Sequence, residues 1–193
     1  MEDLAAWRKG ERQRLIAARL AMPAAVHRAA SAAIARALLA HFMPPEPELV
    51  GAYWPYRREF NCLPVLRRII AASGEVALPV VVGPRQPLEF RRWTPDTAMT
   101  PGALGIPQPV DGPAVYPTTL LIPLVGFDAH GYRLGYGAGY YDRTLAALPR
   151  RPVTWGVGFE LGRLETIHPR DHDVPMDAIV TEAGLALLKE ASA

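Results

Sequence analysis

Two hydrophobic periodicities alternate along the chain. Residues 3–20, "DLAAWRKGERQRLIAARL", carry charges through a helical repeat and predict a helix, and a second helix is expected after Pro23, running through Phe42. In the second, Val26, Ala29, Ala30, Ala33, Ile34, Ala37, Leu38 and Phe42 fall at helical spacing and form the expected buried stripe. The run "MPPEPE" then stops helix formation. Beyond it "LVGAYW" reads as a strand and "CLPVLRRIIAAS" as a helix with Val65, Leu66, Ile69 and Ile70 on one side, followed by the strands "EVALPVVV" and "LEFRRW". Residues 94–117, rich in proline and glycine, predict a long surface loop. "TTLLIPLVGFD" predicts a buried central strand, with a helix after it from about Tyr140 through Leu148, the strand "VTWGVGF", and a final strand and helix in "DAIVTEAGLALLKE". Strands alternating with helices predict an α/β fold: a mainly parallel, doubly wound sheet flanked by helices, in a single domain over residues 1–193.

Composition narrows the class. With 50% hydrophobic and 21% charged residues the chain has the balance of a globular protein, and no apolar run approaches the roughly 20 residues of a membrane span. The N-terminus is charged from the start and lacks the apolar core of a signal peptide, and a lone cysteine, Cys62, cannot form an internal disulfide; both predict a cytoplasmic protein. The formal charge is +2, and of the 21 cations only Lys9 and Lys189 are lysine, the other 19 being arginine. Alanine and proline are also abundant, so a compositional bias of the source genome accounts for this as readily as selection for anion binding.

The densest chemistry lies in residues 131–143, "GYRLGYGAGYYDR". Gly135, Gly137 and Gly139 alternate between a hydrophobic strand and a helix start, where backbone N–H groups can approach an anion at the carboxyl end of a parallel strand. The dinucleotide pattern G-x-G-x-x-G requires glycine where Tyr140 stands, and the Walker A pattern requires Gly-Lys there, followed by Ser or Thr. Spacing alone therefore leaves two readings open, a phosphate cradle and a tight strand-to-helix turn. Arg133 is suited to a phosphate, and Asp142 either to the helix dipole or to a magnesium ion shared with phosphates. The tyrosines 136, 140 and 141 pack beside glycine on the simplest account.

Read together, "LIPLVGFDAHGYRLGYGAGYYDR" closely resembles the 5-formyltetrahydrofolate cyclo-ligase family. The matching positions are Pro123, Phe127, Asp128, Gly131, Arg133, Leu134, Gly135, Gly137, Gly139, Tyr140, Tyr141 and Asp142. Weaker matches extend the resemblance over nearly the whole chain: "RKGERQRLIAAR", "YWPYRREFN", "GIPQP" and "HPRDHDVPMDAIVTE". The resemblance implies an enzyme that converts 5-formyltetrahydrofolate, ATP and Mg2+ into 5,10-methenyltetrahydrofolate, ADP and phosphate, with no obligate protein partner. It places Arg8, Lys9 and Arg12 with Arg133, Leu134, Gly135, Tyr136, Gly137, Ala138, Gly139, Tyr140 and Tyr141 around ATP. It places Trp54 and Glu59, with residues 136–140, around the folate, makes Arg133 and Asp142 catalytic, and gives Asp142 and Asp173 to magnesium. Without the resemblance, Glu59 reads as a solvated loop carboxylate and Trp54 as a core residue at a strand end. Ala138 stands where related sequences often carry glycine or lysine, so phosphate neutralisation rests on Arg133 and the first helix. Asn61 and Cys62 replace a more usual acidic residue and threonine.

Other functions are less well supported. His168 and His172 with Asp171 and Asp173 have the look of metal ligands, but Pro169 interrupts a regular helical face and no cysteine lies near, which disfavours zinc. A nucleic-acid module requires clustered cations, whereas here arginines are scattered and sit beside acids in "RREF" and "PRDHD". A different nucleotide-using enzyme, binding phosphate on the same scaffold without folate, remains the nearest alternative.

Overall fold

A computed structural model of the chain describes residues 4–41 and 48–188. Phe42, most of the "MPPEPE" run and Lys189 lie outside the described residues. The first two helices form as the periodicity predicts, α1 over Leu4–Ala21 and α2 over Ala24–His41. The buried stripe of α2 is narrower than expected. Ala30, Ile34 and Leu38 are buried at i, i+4 spacing, whereas Val26 and Ala29 face outward. His27 turns in instead, its ring 5.1 Å from that of Phe159.

Strand β1 (Leu49–Gly51) leads to α3 (Leu63–Ala71), whose first turn tolerates Pro64 because the N–H it lacks has no intrahelical acceptor there. β2 (Glu75–Val80) and β3 (Glu89–Arg92) pair antiparallel. The segment 94–117 is not merely a loop: β4 (Met99–Pro101) and β5 (Pro107–Pro109) form a small hairpin around a 3-10 turn at Ala103–Gly105. The expected central strand is interrupted. β6 (Thr119–Pro123) ends at its proline, and β7 (Gly126–Phe127) pairs instead with β8 (Arg133–Leu134), so Arg133 and Leu134 of the glycine stretch are themselves a strand. α4 begins at Tyr140, as expected, and runs to Ala147. β9 (Val153–Val157) and β10 (Ala178–Thr181) complete the parallel core.

The expected C-terminal helix is instead β11, Gly184–Leu188. Gly184 takes φ 106°, a turn conformation, and reverses the chain so that β11 pairs antiparallel with β10. Edge pairing overrides the helix preference of Leu and Ala.

The main sheet has the order β11-β10-β9-β6-β1-β2-β3, with five central parallel strands and an antiparallel strand at each edge. Side chains alternate between its faces with the strand period of two. Leu121, Val76, Leu78 and Val180 pack with Ile34, Leu38, Leu66 and Ile69 of α2 and α3, while Leu120, Ile122, Ala77 and Ile179 pack on the other face with Leu145 of α4. Each fully buried aliphatic of this kind contributes about 1.5–3 kcal/mol of apolar burial. Helices on both faces make the sheet doubly wound. A third, smaller cluster joins Leu15 of α1 to Val125, Leu134 and Ile167. Among the described residues no helix is long and apolar enough to cross a membrane.

Candidate active site

The parallel strands run in the order β2-β1-β6-β9-β10, so the chain leaves neighbours β1 and β6 in opposite directions. Such a switch point opens a crevice beyond the carboxyl ends of the strands. A cleft of about 760 Å3 lies there. Tyr53 and Trp54 after β1, Pro79 and Val81 at the end of β2, and Pro123 at the end of β6 form its floor. The glycine stretch, Arg8 and Arg12 of α1, and residues 170–174 form its walls.

On one wall the glycine loop connects β8 to α4. Gly137 and Gly139 adopt φ 96° and 67°, which the strand-to-helix reversal requires, whereas Ala138 between them has no left-handed φ and fits without strain. A Cβ at Gly135 would meet nothing within 4 Å, so that backbone borders open cleft. Arg12 braces the loop, donating from Nε to the Gly135 carbonyl at 2.9 Å. No side chain caps α4, leaving the N–H groups of its first turn free for an anion at the positive end of the helix dipole.

Two ion pairs flank this loop. Arg133, buried, donates from Nη2 to Asp142 Oδ1 at 2.6 Å and from Nη1 to the Val174 carbonyl at 2.8 Å. Arg8 donates to Asp173 Oδ2 at 2.9 Å, and the same oxygen accepts the Arg170 N–H at 2.8 Å. The Arg8 Nε is buried with no hydrogen-bond partner among the described residues, a donor left for another group to meet. Asp142 Oδ2 and Asp173 Oδ1 accept no hydrogen bond from the described residues. Two carboxylate oxygens in a cleft suit magnesium, which takes one or two protein carboxylates and fills its octahedron with water and phosphate oxygens. No group of three His, Cys, Asp or Glu residues able to hold a metal occurs among the described residues. His168 lies edge-on to Trp7, 4.8 Å between ring centroids.

The opposite wall is the 53–62 segment. Glu59 is 5% exposed and accepts the Tyr56 N–H at 2.9 Å, so it is a buried group rather than a solvated loop carboxylate. Burial pushes its carboxyl up to about 7, against the opposing pull of the Tyr56 N–H, the Arg19 charge and the Tyr136 hydroxyl. Trp54 both lines the cleft and packs against the core, so the two sequence readings of it coexist. Tyr140 borders the cleft with the Arg143 guanidinium 5.3 Å from its ring centroid, and Tyr136 and Tyr141 border it as well. Cys62 is structural: its thiol donates to the Tyr53 carbonyl at 3.2 Å, and burial pushes it up to about 12.

The cleft therefore gathers Arg8, Arg12, Trp54, Glu59, Arg133, Gly135–Asp142 and Asp173. Two expected site residues are elsewhere. Lys9 is exposed and points away from the cleft, and Leu134 is fully buried in the cluster around Leu15. Other cleft residues escaped the sequence reading, notably Tyr56, Arg143 and Arg170. So did Arg19, buried just behind the cleft. A signal for Arg19 was present, since positions 8, 12, 15 and 19 share one face of α1.

Fold and cleft define the class, a parallel α/β protein with an ion-paired, glycine-lined crevice at its switch point. The sequence model described as the 5-formyltetrahydrofolate cyclo-ligase family matches residues 4–182. The chain is 30% identical over 145 residues to the 5-formyltetrahydrofolate cyclo-ligase of Escherichia coli K12, covering 68% of this chain and 76% of that one. It is also 30% identical over 134 residues to that of Haemophilus influenzae, covering 66% and 72%. The structure of Aquifex aeolicus 5,10-methenyltetrahydrofolate synthetase superposes with a TM-score of 0.81 at 28% identity, over 96% of this chain and 95% of that one. The chain belongs to the 5-formyltetrahydrofolate cyclo-ligase family and is an enzyme of that class.

Proposed function

We propose that the chain converts 5-formyltetrahydrofolate to 5,10-methenyltetrahydrofolate, consuming ATP with magnesium and releasing ADP and phosphate. The observation that carries this reading is the division of one cleft between a wall of arginine–aspartate pairs around a glycine loop and a wall with a buried, easily protonated carboxylate. A formamide oxygen is a poor leaving group. Its attack on the γ-phosphorus forms an iminium phosphate as ADP departs, N10 of the folate adds to the activated carbon, and loss of phosphate then leaves the methenyl bridge. Little covalent work falls to the protein, which must align the formyl oxygen with the γ-phosphate and stabilise the charge that develops.

Arg133, Arg8 and Arg12, with the N–H groups of residues 135–140, are placed to receive the phosphates. Asp142 and Asp173 would hold magnesium, whose chemistry is to neutralise and orient the phosphate oxygens. Until nucleotide arrives, the arginine–aspartate pairs keep the two sets of charge compensated. Glu59 is suited to hydrogen-bond the polar edge of the pterin, accepting from a ring N–H when ionised and donating when protonated, with Trp54 and Tyr140 beside the ring. A cytoplasmic setting fits the single thiol, Cys62, which is buried.

Purified protein with 5-formyltetrahydrofolate and MgATP is expected to develop the near-ultraviolet absorption of the methenyl product, and to develop none when ATP is omitted. Folded protein that forms no product in the complete mixture would refute the assignment.

A further inference from the structure

Arg19 is a buried cation, 3% exposed, with no ion pair among the described residues. A buried charge of this kind is costly unless its donors are used, and here all three nitrogens are. Nε donates to the Arg57 carbonyl at 3.0 Å, Nη1 to the Leu124 carbonyl at 3.3 Å, and Nη2 to the Tyr136 hydroxyl at 2.5 Å. Those acceptors belong to three separate segments around the cleft: the segment before Glu59, the chain just past β6, and the glycine loop.

The segment before Glu59 needs such support. Arg57 and Arg58 both have positive φ, 45° and 58°, an unfavourable conformation for two successive arginines. Arg19 holds the first carbonyl of the pair, and His27 Nε2 of α2 holds the second at 3.0 Å. The Tyr136 hydroxyl, accepting from Arg19, also lies close enough to Glu59 to pull its carboxyl down, as the Arg19 charge does. Arg19 thus joins the segment before Glu59, through the Arg57 carbonyl, to the glycine loop, through the Tyr136 hydroxyl. Tyr136 is 37% exposed and its ring lies 5.9 Å from that of Tyr56, so a ligand at the glycine loop can displace it.

We infer that Arg19 is a positioning residue that couples the two walls of the cleft, fixing the Glu59 segment and the glycine loop against each other through Tyr136. The inference rests on the proposed function, which supplies a ligand for each wall. Nucleotide settling on the glycine loop then fixes Tyr136, and with it the carboxylate that meets the folate, so each ligand tightens the other.

Glu59 also reports the coupling. It faces Arg19 of α1, Tyr136 of the glycine loop, Tyr141 of α4, and Tyr53 and Cys62 of its own segment, while His27 of α2 bonds the neighbouring carbonyl of Arg58. Burial pushes Tyr53, Tyr141 and Cys62 up, so they stay neutral near pH 7 and Arg19 is the cation that acts on Glu59.

The experiment measures the dissociation constant of 5-formyltetrahydrofolate with and without a saturating non-hydrolysable ATP analogue and Mg2+, in wild type, Arg19→Gln, Arg19→Lys and Tyr136→Phe. Wild type is expected to bind folate at least about fivefold tighter with the analogue, the scale of ordinary site-to-site coupling. Arg19→Gln and Tyr136→Phe should bring that ratio close to one and move the acidic limb of the kcat/KM profile to higher pH. Arg19→Lys, which keeps the charge but cannot span three acceptors, should lose the ratio and keep the limb. Should Arg19→Gln fail to fold, Tyr136→Phe decides the matter, since it removes one hydroxyl from a partly exposed ring. An unchanged ratio in Tyr136→Phe overturns the inference. Wild type that binds both ligands independently overturns it while leaving the proposed function standing, and wild type that binds neither overturns both.

Discussion

The two walls of the cleft handle acidic side chains in opposite ways. On the glycine-loop wall, Asp142 and Asp173 each sit against an arginine, at 2.6 and 2.9 Å, so each has a guanidinium as its immediate partner. On the other wall Glu59 is buried, bonded to the Tyr56 backbone N–H, and pushed up by burial to about 7. The difference is one of immediate partner, since all three line one cavity. On the proposed function, one wall would exchange charge with an anionic, metal-bearing ligand, and the other would offer a carboxyl whose proton is negotiable. Acids whose surroundings separate their behaviour mark a division of chemical labour.

The comparison breaks most severely at Asp142. Asp142→Asn keeps the shape, removes the charge that balances buried Arg133, and removes a ligand from the proposed magnesium site. Turnover should fall about 100-fold or more, the scale of losing one preorganised charge at a reacting centre. The magnesium concentration for half-maximal rate should rise, read from kcat at a series of metal concentrations. Unchanged kinetics would move the reaction away from this wall.

Glu59→Gln tests the other wall, and its effects should have opposite signs. The folded carboxyl binds its proton more tightly than the unfolded one, about 7 against 4.5. In that window the native state carries the extra proton, so stability falls as pH rises from about 4.5 and the loss is complete above about 7, totalling on the order of 3 kcal/mol. Glutamine has no such titration. Urea unfolding between pH 5 and 9 should show wild type losing stability across the window and Glu59→Gln staying nearly flat. The folate KM of the variant should rise about tenfold through loss of a charged hydrogen bond. A variant as pH-sensitive as wild type would show that Glu59 titrates normally.

These contrasts show which parts of the site could be read from sequence. The glycine stretch was legible because its spacing and its flanking residues are local: Gly137 and Gly139 take the positive φ that their order implied, and α4 starts where expected at Tyr140. The apolar run 119–122 was equally legible as a buried strand. What escaped depends on partners far along the chain. β11 consists of helix-favouring residues and is a strand because β10 offers an edge. The 94–117 segment forms a hairpin although it is rich in proline and glycine. Glu59 has the sequence surroundings of an exposed loop residue, and only the closing of α1 and the glycine loop around it buries it. Arg19 is the extreme case, because its three acceptors lie 38, 105 and 117 residues away.

The mildest test concerns Arg8 and Lys9, which sequence could not separate. A helix turns about 100° per residue, so only one of two neighbours can face the cleft. That residue is Arg8: its side chain is 6% exposed, it pairs with Asp173, and its Nε has no partner among the described residues. Lys9 lies on the solvent side. Arg8→Ala removes a charge-assisted contact and leaves Asp173 without its cation, so the KM for ATP should rise about tenfold. Lys9→Ala removes an exposed charge from the solvent side of α1, where screening leaves little interaction, and should change that KM less than about twofold at physiological salt. Steady-state kinetics of the two variants side by side make the comparison. Equal effects would mean that α1 contributes a general positive field, whereas the expected asymmetry would place one specific guanidinium beside the carboxylate it now holds and the anion it would meet.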